Sequence, residues 1–138
     1  MDEARHTLVR AWLIKAWHDL RSAHTLATAT PPLLDTATYH CQQAAEKALK
    51  GLQAFHSLPP DKTHDLGFLV ERTAQVDASV ISLLEDAEHL TPYATLFRYP
   101  DDYMEPSRAE FTAAYEAAKR VFTHILDRLP ASVHPEAH

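Results

Sequence analysis

A chain of 138 residues with 46% hydrophobic and 23% charged residues has the size and composition of one soluble globular domain. Its two glycines argue against turn-rich β-sandwiches and Gly-rich phosphate loops, and its single cysteine, Cys41, excludes an intramolecular disulfide or a cysteine zinc cluster and suits a reducing cytoplasm. A net charge of −6 is a poor footprint for duplex DNA, and no apolar run approaches the ~20 residues of a membrane span, so a cytoplasmic protein is expected.

The apolar spacing is helical almost throughout. The first helix is expected from Glu3 to Thr28, with Val9, Trp12, Ala16, Leu20, Ala23 and Ala27 on one face. Pro31 and Pro32 break the chain, and a second helix follows from Leu33 or Thr36 to Ser57. Its stripe (Cys41, Ala45, Ala48, Leu52, Phe55) is rich in alanine, so a neighbouring helix can approach closely. Gly51 costs ~1 kcal/mol against alanine inside a helix, and a close backbone contact would account for it. A loop at 58–62 leads to a third helix opened by His64 and Asp65 and running to about Val76. The fourth begins near Asp77 and carries Val80, Leu83, Leu84, Ala87 and Leu90, with Pro92 kinking it or opening a new turn. Residues 98–103 read as a loop. Ser107 and Glu110 have capping-box spacing ahead of a last helix, Arg108 to Leu129, which Pro130 ends. Residues 1–130 therefore form one helical domain, and 131–138 are expected to be a disordered tail. Long helices joined by short, proline-marked loops predict an all-α fold, an antiparallel up-and-down bundle of four to five helices.

Several polar groups admit two readings. Gln42, Glu46 and Lys50 recur every four residues on the second helix, flanked by Gln43 and Lys47. They form either a surface for a partner, a nucleotide or an RNA phosphate, or a plain solvated face with a Glu46–Lys50 pair worth about 0.3–0.5 kcal/mol. Spacing alone favours the solvated face. His64 and Asp65 either supply an imidazole for acid–base chemistry or phosphate binding, or cap the third helix. Arg98 either grips a phosphate or completes a helix end, and Tyr99 either stacks on a base or covers the bundle end. Asp101 and Asp102, next to Glu105, lack EF-hand spacing and read as a solvated loop. Ten histidines include no HExxH, and no metal site is expected. Cys41 falls on the apolar stripe and reads as a buried, inert thiol. Of Trp12 and Trp17, five apart, one is expected in the core and the other at a rim.

Taken in order, Trp12, Ala16, Asp19-Leu20 and Ala23, then Tyr39-His40-Cys41-Gln42-Gln43-Ala44-Ala45-Glu46-Lys47-Ala48-Leu49-Lys50, His64-Asp65-Leu66, Leu90-Thr91-Pro92-Tyr93 and Phe97-Arg98-Tyr99-Pro100-Asp101 resemble the HEPN domain family over about residues 5 to 129. The resemblance implies a helical bundle that often dimerises and commonly acts beside a minimal nucleotidyltransferase as a toxin–antitoxin pair. It also implies metal-independent RNases in much of the family, with a signature of Arg, four to six residues, then His. Here only Arg128 and His134 have that spacing, across Pro130 and into the tail, so the catalytic pair does not carry over. The match is to the branch with Arg-Tyr-Pro after the fourth helix. The expectation is therefore a homodimeric binding or interaction module rather than an enzyme, needing no cofactor. Its expected partners are a nucleotidyltransferase and a nucleotide or RNA, bound through Glu46, Lys47, Lys50, His64, Asp65, Arg98 and Tyr99. The alternatives are a ribonuclease with an atypical pair, His64 and Arg98, or a purely structural dimer.

Overall fold

A computed structural model describes residues 1–97, 99–100 and 104–136. Five α-helices appear among them: α1 (Glu3–Thr28), α2 (Leu34–Phe55), α3 (Leu66–Ala74), α4 (Leu84–Leu90) and α5 (Arg108–Asp127). Short 3-10 turns occupy Ala78–Leu83, Thr91–Ala94 and Ala131–Val133. Arg5 Nη1 donates to Phe55 O (3.1 Å), tying the start of α1 to the end of α2, so these two helices are antiparallel. Arg108 Nη2 donates to Ala27 O (2.9 Å), which sets α5 antiparallel to α1 as well. The all-α bundle expected from the apolar periodicity is the observed fold.

Local sequence explains the boundaries. Asp2 caps α1 by accepting from Arg5 N (2.8 Å). The capping box of α5 is complete: Glu110 N donates to Ser107 Oγ and Ser107 N to Glu110 Oε1, both at 3.0 Å. At the end of α2, Ser57 takes a left-handed φ of 59°. Ser57 N bonds Ala54 O and Leu58 N bonds Gln53 O, both at 3.0 Å, so a Schellman motif turns the chain without a glycine. The fourth helix differs from expectation at its start, while Pro92 opens a new turn as one of the expected alternatives had it. The helix foreseen from Asp77 starts as a 3-10 turn, because Asp77 Oδ1 takes both the Ser79 amide (3.1 Å) and its hydroxyl (2.7 Å) in place of a regular first turn. At the other end of α4, Pro92 has no amide to donate, and the chain tightens to 3-10 through Ala94.

The core is a seam of α1 and α2 closed by α5. Val9, Leu13, Ala16, Ala23, Cys41, Ala44, Ala45, Ala48, Leu49 and Leu52 are fully buried. Leu13, not the expected Trp12, holds the core position in α1; both tryptophans are half-buried and pack on its edge. A Cβ at Gly51 would clash with Leu13 Cδ2 and lie 3.3 Å from Trp12 Cβ, so α1 and α2 approach closely at this glycine. The expected disordered tail is built onto the domain instead over residues 131–136. Val133 is fully buried, His134 Nε2 lies 2.8 Å from Leu126 O, and Arg10 Nη1 donates to His134 O (3.2 Å). Unpaired carbonyls at the end of α5 and one apolar side chain dock this segment.

Candidate functional site

The row Gln42–Glu46–Lys50 is not a solvated face. Gln42 is fully buried and Glu46 only 4% exposed. α2 turns these residues toward the loop that precedes α3, and the loop supplies the third partner. His64 Nδ1 lies 2.7 Å from Glu46 Oε1, Gln42 Nε2 donates to the same oxygen (3.1 Å), and Lys50 Nζ donates to Oε2 (3.0 Å). Gln43 Nε2 closes the network on Gln42 Oε1 (2.7 Å). Burial pushes the Glu46 carboxyl up, but the hydrogen bonds from His64, Gln42 and Lys50, with the Lys50 charge, outweigh it and hold it below the ordinary glutamate range. A carboxylate can only accept, so Nδ1 of His64 carries the proton and Nε2 is left as the other reactive nitrogen. The His64 side chain is 66% exposed. An exposed imidazole oriented by a buried carboxylate can relay a proton or meet an anion.

Asp19, a carboxylate on the inner face of α1, forms a second cluster of the same type. Its Oδ1 lies 2.7 Å from His40 Nδ1 and its Oδ2 accepts from Lys47 Nζ (2.7 Å). Lys47 is thereby drawn away from Lys50, so the two lysines expected to act together serve different carboxylates. The missed signal was Asp19 itself, one position before Leu20 on an otherwise apolar face.

A cleft of about 470 Å³ opens between the start of α1 and the end of α2, lined by Arg5, Leu8, Trp12, Lys50, Gln53 and Leu58 among others. Lys50 Nζ stands 5.8 Å from the Trp12 ring centroid, so one lysine borders both the cleft and the Glu46 network. Gln53 is 1% exposed; its Nε2 donates to Thr73 Oγ1 (3.1 Å), while its Oε1 finds no donor among the described residues.

The other expected site residues have definite places. Asp65 caps α3, accepting from Phe68 N (3.2 Å), so its local role is structural. Tyr99 is exposed. Arg98, Asp101 and Asp102 lie outside the described residues. The Arg–His pair with ribonuclease spacing is engaged with other partners: Arg128 Nε donates to Asp77 Oδ2 (2.8 Å), and His134 Nε2 lies 2.8 Å from Leu126 O at the end of α5. Cys41 is fully buried, and burial pushes its thiol up to about 12, as suits an inert core residue. No helix among the described residues is long and apolar enough to cross a membrane.

These features define a small helical-bundle module organised around buried carboxylates on α1 and α2. The family model of the HEPN domain matches residues 9–129, and the chain belongs to this family. Among solved structures it is similar to TT1696 from Thermus thermophilus, at 28% identity and a TM-score of 0.74, over 88% of this chain and 98% of that one. Comparison with curated proteins gives no significant match.

Proposed function

We propose that this HEPN domain is a binding and interaction module that takes a nucleotide or an RNA phosphate where α1, α2 and the loop before α3 meet. It works in the cytoplasm as a homodimer beside a minimal nucleotidyltransferase, in a pair of toxin–antitoxin type. The observation that carries the binding reading is the double placement of Lys50, which borders the Trp12–Arg5 cleft and belongs to the Glu46–His64 network. Trp12 offers a ring for a base, Arg5 and Lys50 offer donors to a phosphate, and His64 offers one from Nε2 in its imidazolium form. The test is fluorescence anisotropy with a labelled RNA oligonucleotide and a labelled nucleotide. Exchange of Lys50 and Arg98 for alanine is expected to weaken binding at least about tenfold, the effect of losing charge-assisted contacts. Unchanged affinity removes the site.

The alternative of a metal-independent ribonuclease draws support from the 2.7 Å His64–Glu46 contact, which orients an exposed imidazole for proton transfer. Incubation of a mixed RNA in EDTA with the wild type and with a His64→Ala/Arg98→Ala variant decides between the readings. Cleavage by the wild type alone makes the protein a ribonuclease with an atypical pair. Absence of cleavage leaves the binding module.

A further inference from the structure

The second carboxylate–histidine pair faces a pocket of its own. This pocket, of about 550 Å³, lies between α1 and α2 and is lined by His18, Arg21, Ser22, Thr25, Leu26 and His40. Residues 18, 21, 22 and 25 fall at the spacings that share one helix face, so two turns of α1 present a row about 10 Å long. The chemistry of the lining is one-sided. It holds a guanidinium, two imidazoles and two hydroxyls, and no carboxylate. In a chain of net charge −6 that is a local reversal of sign.

Two of these groups are held in place. His40 Nδ1 is fixed by Asp19 Oδ1 at 2.7 Å, and Tyr39 lies edge-on to the ring with centroids 5.6 Å apart. Asp19 sits behind the imidazole, 6% exposed, with its second oxygen taken by Lys47. The carboxylate therefore orients His40 without offering a negative charge to the pocket. Arg21 rests on the Trp17 ring, its Cζ 5.0 Å from the centroid, which restricts the guanidinium before any ligand arrives.

We propose that the pocket formed by His18, Arg21, Ser22, Thr25 and His40 binds a phosphoryl group, as free phosphate or as a phosphate monoester, at a site separate from the Glu46–Lys50–His64 network. Arg21 supplies the fixed charge and a two-pronged donor, Ser22 and Thr25 supply hydroxyl donors, His18 supplies a ring N–H, and His40, whose Nδ1 is taken by Asp19, donates from Nε2 in its imidazolium form. This site stands independently of the nucleotide reading above.

The test is a titration of the ¹⁵N-labelled full chain with inorganic phosphate and, separately, with phenyl phosphate, against sodium chloride of matched ionic strength. Backbone amides and histidine ring nitrogens are followed by NMR. Saturable shifts are expected at Ser22, Thr25 and the His40 ring, and Arg21→Gln is expected to weaken binding at least about tenfold. Arg21 is exposed, so its replacement leaves the core intact, and the amide spectrum of the variant verifies that. Equal affinity for the two probes assigns the phosphoryl group alone; tighter binding of phenyl phosphate adds contact with Leu26. Either result upholds the site. Shifts that do not saturate, that chloride reproduces, or that centre on Lys50 and His64 overturn it. Unchanged affinity in Arg21→Gln overturns it too.

Discussion

Asp19 and Glu46 satisfy the same chemistry with different parts of the fold. Each is a buried carboxylate 2.7 Å from a histidine Nδ1, and each accepts from a lysine Nζ. The partners of Asp19 both stand on α2, so that cluster joins α1 to α2. Glu46 takes Gln42 and Lys50 from its own helix and His64 from the loop before α3, so it holds a loop against a helix. Exposure follows from this. The His40 side chain is 26% exposed and that of His64 is 66%. A histidine clamped between helices presents a restricted edge, whereas one leaning from a loop presents most of its ring. The same ion-pair chemistry thus serves packing at one place and leaves a reactive group accessible at the other.

The largest effect is expected where the comparison is sharpest, at Glu46. Glu46→Ala leaves Lys50, only 14% exposed, without its acceptor, and leaves Nε2 of buried Gln42 only its longer bond to His64 O (3.4 Å). Breaking a buried pair from one side costs about 3 kcal/mol, read as a fall in the urea unfolding midpoint. Asp19→Ala is expected to cost less, about 2 kcal/mol, because Lys47 and His40 are each about a quarter exposed and can turn to water. A reversed order would break the comparison. Gly51→Ala probes the seam between the two clusters. The added methyl must displace fully buried Leu13, at about 1–3 kcal/mol for overpacking, against ~1 kcal/mol gained in helix propensity. A net loss of about 1 kcal/mol is expected, and a stabilised variant would mean that α1 and α2 can move apart without penalty.

The pH dependence separates Glu46 from a neutral substitute. Its folded-state pKa lies below its ordinary value of 4.5, so the ionised form favours folding. That contribution is complete above the ordinary value and is lost as the pH falls through the lowered one. The stability difference between the wild type and Glu46→Gln is therefore expected to shrink as the pH falls below about 5. A difference that grows below about pH 5 would reverse the sign of the interaction.

Much of the fold was legible in the sequence because the apolar period of α1, α2 and α5 runs without interruption and the stops are chemical: Pro31, Pro32 and Pro130, with Ser107 and Glu110 at a start. The 3-10 turn at Ala78–Leu83 was not legible, because Val80 and Leu83 keep a helical spacing while Asp77 redirects the first amides. Of the candidate site, the Glu46–Lys50 spacing was visible, but its burial was not. A polar row at four-residue intervals looks the same whether it faces water or a loop that folds over it, and nothing near His64 announces that the loop turns back. The Asp19 cluster joins residues 21 and 28 positions apart, and no local pattern reports such a pairing. The ordered segment after Pro130 was hidden for a related reason: one valine and one histidine are too few to show a period.

The smallest expected effect on stability decides what His64 is for. Glu46 keeps Gln42 and Lys50 when His64 is replaced, and an imidazole that is two-thirds exposed surrenders little buried contact, so His64→Gln is expected to cost under about 1 kcal/mol. His40→Gln removes a more enclosed ring from a carboxylate with one remaining donor, and is expected to cost more. RNA binding measured on the same two proteins is expected to run the other way, with His64→Gln weakened about tenfold and His40→Gln little changed. A histidine held 2.7 Å from a buried carboxylate, and yet removable at small cost to the fold, is placed for what reaches it from outside. If His64→Gln instead unfolds the domain and binds RNA normally per folded molecule, the loop contact is a structural clasp, and the Glu46 cluster joins the Asp19 cluster as part of the frame.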